Sequence, residues 1–138
     1  MQVILACNMN NSHWITCNID FENWVIYIYN SFADRNDAVV REQTIIPLRV
    51  LLPVMMKQAG YFDHLALSPK SDIFSGIRLP PEEVAQHVDS NSCGMFSLTF
   101  MDYIVQDKPI HKSFGQEDIY NLRRQKAFEI FSNEVDAE

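Results

Sequence analysis

Cys93, His13 and Asn30 are the residues of this chain whose types and spacing could support nucleophilic chemistry. Cys93 follows the turn-forming run Asp89-Ser-Asn-Ser92 and precedes Gly94 and an almost wholly apolar segment reaching Val105. Asn91 or Ser92 is the candidate N-cap, which puts Cys93 in the first turn of a helix. Met95, Phe96, Leu98, Phe100, Met101, Tyr103, Ile104 and Val105 leave that helix no broad polar face, so burial is expected. A thiol at its mouth meets the positive end of the helix dipole, which favours the nucleophilic thiolate. Against this stands the ordinary use of cysteine as a small buried residue.

A cysteine nucleophile needs a base, and the base needs an orienting partner. The histidines are His13, His64, His87 and His111. His64 and His111 fall in stretches that read as loops. His13 opens a strand, so its ring should project from the end of a sheet. Along His13–Ile19, alternation puts His13, Ile15, Cys17 and Ile19 on one face and Trp14, Thr16 and Asn18 on the other. Phe21-Glu-Asn23 reads as a hairpin turn, and Trp24–Tyr29 is the strongest strand signal in the chain. Asn30 closes that strand. In an antiparallel hairpin the start of one strand lies beside the end of the next, so His13 and Asn30 are expected side by side. The plain alternative is a stray histidine and a turn asparagine.

The elements that must position these residues follow from pattern. Val3–Ala6 reads as a buried strand and Asn8–Ser12 as a turn. Asp34–Asp37 reads as a loop. A helical region spans about Ala38 to Ala59, with Leu48, Leu51, Leu52, Met55 and Met56 at helical spacing. Pro47 and Pro53 must start, kink or break it, and Gly60 fits its C-terminal cap. His64–Gly76 reads as loop and Ile77–Leu79 as a short strand. A last helix begins near Gln116, with Ser113 and Gln116 at capping-box spacing. Ile119, Leu122, Ala127, Ile130 and Phe131 are its expected buried side, and Arg123, Arg124 and Lys126 a solvated face.

At 138 residues and 47% hydrophobic, the chain suits one domain over residues 1–138. A net charge of -7 argues against a nucleic-acid partner, and no apolar run reaches membrane-spanning length. Three cysteines without an even framework suggest a reducing compartment, nucleus or cytoplasm. Cys7, His13 and Cys17 are close in sequence, but CxxC and HxxxH spacings are absent, so no metal and no cofactor are expected.

Taken in order, His13-Trp14, the strand ending Tyr27-Ile-Tyr-Asn-Ser31 and Cys93-Gly-Met-Phe96 resemble the catalytic domain of the ubiquitin-like-protein-specific cysteine proteases. This is the SUMO/sentrin protease family, related to the adenovirus protease. The ending Phe114-Gly-Gln-Glu-Asp-Ile119 with Leu122-Arg-Arg124 is similar to the last helix of its plant branch. The resemblance covers nearly the whole chain. It implies an α+β, papain-like fold: a small mixed or antiparallel sheet flanked by helices, with the catalytic cysteine at a helix N-terminus. It implies His13 as general base, Cys93 as nucleophile and Asn30 at the position of the family's acid. Trp14 would hold the Gly-Gly tail of a SUMO-type substrate. Gln86, or His87 in its place, would complete an oxyanion hole with the backbone N–H of Cys93.

Three positions depart from the family pattern: Asn30 replaces an aspartate, Ser92 precedes the cysteine where an aspartate is usual, and His87 stands where the glutamine is usual. The family's segment before the first strand is also expected to be missing, which would leave apolar surface uncovered and favour self-association. The rival expectations are an inactive family member that binds a ubiquitin-like protein, and a zinc-dependent structural module.

Overall fold

The computed structural model describes residues 1–32, 38–63, 69–110 and 114–135, with side chains to residue 132. His64, His111, Ser113 and the whole Asp34–Asp37 stretch lie outside the described residues.

Two strands, β1 (Gln2–Met9) and β2 (His13–Asp20), pair antiparallel from Gln2↔Asp20 to Met9↔His13. β1 therefore runs beyond the expected Ala6. Asn10 and Asn11 make the tight turn in the left-handed region, at φ 50° and 54°, which asparagine tolerates better than most residues. The Ser12 N–H closes it on the Met9 carbonyl at 3.1 Å. β3 (Val25–Tyr29) pairs antiparallel with β2, and β4 (Ser75–Arg78) pairs parallel with β3, giving the order β1-β2-β3-β4. The sheet is therefore mixed. β4 includes Ser75 and Gly76, which belong to the stretch expected as loop. Neither residue has strand propensity; pairing with Val25 and Ile26 orders them.

A parallel pair needs a crossover. Here it is α1 (Ala38–Ile46), a π-helical turn (Pro47–Leu51) and α2 (Leu52–Gln58). Pro47 has no N–H to continue the α-helical ladder, and the Leu52 N–H reaches back to the Pro47 carbonyl instead. The expected kink is thus a widened turn. Gly60, at φ +67°, caps α2: its N–H meets the Lys57 carbonyl and the Tyr61 N–H meets that of Met56. Of the five residues expected at helical spacing only Met56 is buried, Leu48 and Leu52 pack at the edge of the core, and Leu51 and Met55 are exposed.

Two cores lie on opposite faces of the sheet. Ile15, Cys17 and Ile19 of β2 join Ile26 and Ile28 of β3, Ile45 of α1 and Met56 of α2. On the other face α3 (Cys93–Val105) packs against β2, with Phe96 and Phe100 meeting Val84, Ala85, Phe114 and Ile119. Thr16 on that face donates its hydroxyl to the Ser97 carbonyl at 3.1 Å. After β2's first two residues, no side chain is exposed on either face, so the strand carrying His13 is clamped between helical layers.

A 3₁₀ turn (Gln116–Asp118) leads into α4 (Ile119–Val135). Its cap is the Gly115 N–H donating to the Asp118 carboxylate at 2.8 Å. Of its expected buried side, Ile119 is buried and Leu122 half-buried, while Ala127, Ile130 and Phe131 are exposed. The expected apolar side of α4 therefore packs only near its N-terminus. Nor is its basic face merely solvated, since Lys126 pairs with Asp102 of α3.

Candidate active site

His13 stands first in β2, and Asn30 follows β3 directly. The pair Thr16↔Tyr29 sets the register, so His13 reaches Asn30 diagonally across the hairpin. Its Nε2 lies 2.8 Å from Asn30 Oδ1, and both residues are buried. The Phe32 N–H donates to the same oxygen at 2.9 Å. Two donors converging on Oδ1 assign the amide's orientation and place a proton on Nε2. Nδ1 is then the basic nitrogen of the neutral ring.

Cys93 is the first residue of α3 and is 8% exposed. Thr16 meets Ser97, and two residues earlier on β2 the Trp14 indole lies against Gly94, where a β-carbon would sit 3.9 Å from Cδ1. β2 and α3 thus run together with His13 at the start of one and Cys93 at the start of the other. Trp14 is 40% exposed there, despite its size.

His87 occupies the opposite wall. It is buried, 6.0 Å from the His13 ring, and stacked on Phe32 at 5.0 Å. Its Nδ1–H donates to the Asp89 carbonyl at 2.7 Å, and its Nε2 has no hydrogen-bond partner among the described residues. His13, His87, Phe32 and Asp89 line a cleft of about 430 Å³. A larger hollow of about 560 Å³, around Asn18 and Lys108, holds none of these site residues.

Gln86 is tied to the backbone beside this arrangement. Its Nε2 donates to the carbonyls of Asn30 at 2.9 Å and Val84 at 3.0 Å. Both amide hydrogens are engaged with backbone, which suits a brace beneath Asn30 rather than a donor to a reacting oxygen.

The loop before Cys93 is organised by Asp89, whose importance the sequence reading missed. Ser92 occupies the N-cap position, but its hydroxyl makes no capping bond and donates instead to Asp89 Oδ2 at 2.6 Å. Asp89 Oδ1 accepts the N–H groups of Asn91 and Ser92 at 3.2 and 2.9 Å, and Gln116 donates to Oδ2 at 2.9 Å. Hydrogen bonding, from Ser92 foremost, holds the Asp89 carboxyl below its ordinary range. Arg123 of α4, read from sequence as solvated, donates to the Asn91 carbonyl at 3.1 Å. The available signal was an aspartate three residues before the cap, a spacing that favours side-chain closure of a turn.

The zinc expectation finds no support. Among the described residues no group of three or more His, Cys, Asp or Glu side chains is placed to hold a metal ion. Cys7 and Cys17 meet each other, while His13 is held by Asn30.

Comparison with known proteins extends the geometry. Residues 3–135 match the model of the Ulp1 protease family, C-terminal catalytic domain. Sentrin-specific protease 2 of Pongo abelii is 33% identical over 134 residues, covering 97% of this chain and 21% of that protein. The Homo sapiens protein of the same name is 33% identical over 57 residues, covering 41% of this chain and 9% of its own. The chain thus spans about a fifth or less of these relatives' length. Among solved structures, the SUMO protease Ulp1 with its catalytic cysteine oxidised to a sulfenic acid aligns with a TM-score of 0.65 at 20% identity, over 97% of this chain and 54% of that one. The C-terminal Ulp1 protease domain in complex with Smt3, the yeast ortholog of SUMO, aligns with a TM-score of 0.59 at 20% identity, over 89% of this chain and 48% of that one. The α+β fold is shared with these structures.

Proposed function

Because the chain belongs to the Ulp1 protease family, matching its catalytic-domain model over residues 3–135, we propose that it is a cysteine peptidase cleaving after the C-terminal Gly-Gly of a SUMO-type ubiquitin-like protein. The observation that carries this reading is the 2.8 Å contact of His13 Nε2 with Asn30 Oδ1, alongside a helix opening at Cys93. His13 Nδ1 takes the Cys93 proton, and the thiolate attacks the carbonyl carbon of the second glycine. The backbone N–H of Cys93 faces the developing oxyanion. His13 returns the proton to the leaving amine, and a thioester links substrate to enzyme. Water, deprotonated by His13, then releases the product. Trp14 covers the substrate's glycine tail. Gln86, proposed from the family resemblance as an oxyanion donor, is better assigned to holding the Asn30 carbonyl.

Asn30 orients the ring through its oxygen but brings no negative charge. Asn30→Asp is therefore expected to raise the turnover rate, by no more than about tenfold, or about 1.4 kcal/mol of barrier. Asn30→Ala should lower it. Indifference to both changes would mean that another residue orients the base.

A second reading, an inactive protein that binds a ubiquitin-like partner, is favoured by the engaged Gln86 amide and by His87 at the family's glutamine position. Incubation with a C-terminally extended SUMO precursor separates the two. Release of the extension after Gly-Gly, absent in Cys93→Ser, supports the peptidase; saturable binding without release supports the binder.

The reading takes the protein to work inside the cell, in nucleus or cytoplasm, a reducing setting that fits three cysteines without an even framework. It also includes self-association through exposed apolar residues such as Leu51, Val54 and Met55 of the crossover and Phe128 and Phe131 of α4. Sedimentation velocity should then show concentration-dependent growth, and a constant monomer would remove that part.

A further inference from the structure

Cys7 and Cys17 play no part in the chemistry above, yet their sulfurs lie 3.7 Å apart in the core. The β1–β2 register pairs Cys7 with Ile15 and Leu5 with Cys17, so the two cysteines are diagonal neighbours on one face of the hairpin. Cys17 is fully buried and Cys7 is 9% exposed, which gives one sulfur an outer and the other an inner position. We propose that Cys7 and Cys17 are a reversible thiol–disulfide modification site, oxidised by hydroperoxides, with Cys7 the attacking thiol and Cys17 the resolving one.

The step balances in two stages. The Cys7 thiolate attacks a peroxide oxygen, the O–O bond breaks, and Cys7 becomes a sulfenic acid as the leaving oxygen takes a proton to form water or an alcohol. The Cys17 sulfur then attacks the Cys7 sulfur, water leaves with the Cys17 proton, and the S–S bond forms. Two thiols lose two electrons, and one peroxide is reduced. The contact with Cys17 holds the Cys7 thiol below its ordinary value, while the same contact and burial push Cys17 up. The more exposed sulfur, that of Cys7, is the one a peroxide meets first.

Forming the bond brings sulfurs 3.7 Å apart to about 2.05 Å. Diagonal cross-strand positions have Cα separations of about 7–8 Å, beyond the usual disulfide range. One strand must therefore shift. β1 is the edge strand and, among the described residues, pairs only with β2 in the sheet, so a local shift near Cys7 breaks no second ladder. A bridge made this way is strained, and strained disulfides are readily reduced. The site is thus reversible rather than a permanent staple.

The test uses Cys93→Ser protein, which leaves Cys7 and Cys17 as the remaining thiols. It is exposed to hydrogen peroxide while folded, quenched, denatured, treated with N-ethylmaleimide and weighed intact. The expected product is a monomer lighter by two hydrogens that takes no maleimide; prior dithiothreitol restores two additions. Wild-type protein treated identically should yield a Cys7–Cys17 cross-linked peptide on mapping. With Cys17→Ser added, Cys7 should gain oxygen or remain a thiol and no loss of hydrogens should occur. Two maleimide additions after peroxide, oxygen additions without hydrogen loss, or a disulfide-linked dimer would each overturn the proposal. The readout is independent of peptidase activity, so it stands or falls apart from the proposed function.

Discussion

His13→Ala is expected to slow cleavage of a SUMO precursor by about 10²–10⁴-fold, the usual contribution of a positioned acid–base group. The loss should fall on kcat, because the ring acts on the Cys93 proton and the leaving amine rather than on the bound tail. The fold should tolerate the change well enough for measurement. Asn30 Oδ1 keeps the Phe32 N–H at 2.9 Å when the imidazole is gone, so no acceptor is orphaned. Circular dichroism on the purified variant checks this. A loss below tenfold in a folded variant would remove His13 from the mechanism and return attention to His87, 6.0 Å away.

Phe96→Ala should have the largest effect on stability of any single change near the site, about 3–5 kcal/mol. Phe96 is fully buried and lies one turn below Cys93. Its ring is 5.3 Å from that of His87 and 5.1 Å from that of Phe114. Removing it opens a hole where α3, the His87 segment and the start of the last helical region meet. Urea unfolding should show the loss as a lower midpoint. Phe128→Ala is the control, since Phe128 is exposed on α4 and its truncation should change stability by only about 0.5 kcal/mol or less. Equal effects of the two changes would place the core elsewhere.

Much of this arrangement was readable from local chemistry. Trp24–Tyr29 is all aromatic or β-branched, and it forms β3 as far as its turn residue Trp24 allows. Trp24 itself sits in the left-handed region at φ 61°, outside the strand, with its ring stacked on Phe74 at 4.2 Å. That tertiary contact is invisible to propensity. The hairpin that joins His13 to Asn30 was legible because strand ends and turn chemistry determine which residues meet. The brace around Asp89 was not, because Gln116 and Arg123 reach it from far along the chain. Nor does alternation along β2 reveal that both faces are covered. Thr16 and Asn18 share a face with Trp14, and although both are polar, α3 buries the first and Asn18 is buried as well. In α4, apolar residues at helical spacing suggested a buried stripe, yet the helix leaves the core after Leu122. Spacing shows which residues share a face and says nothing about whether a partner covers that face.

The central claim is that Cys93 is the nucleophile activated by His13, and that Cys7 and Cys17 take no part in the peptidase chemistry. An electrophilic probe built on a SUMO C-terminus tests it most directly, with the adduct located by peptide mapping. The account predicts one adduct, on Cys93, lost in Cys93→Ser and strongly slowed in His13→Ala. Labelling shared with Cys7 or Cys17, or surviving in Cys93→Ser, would contradict it.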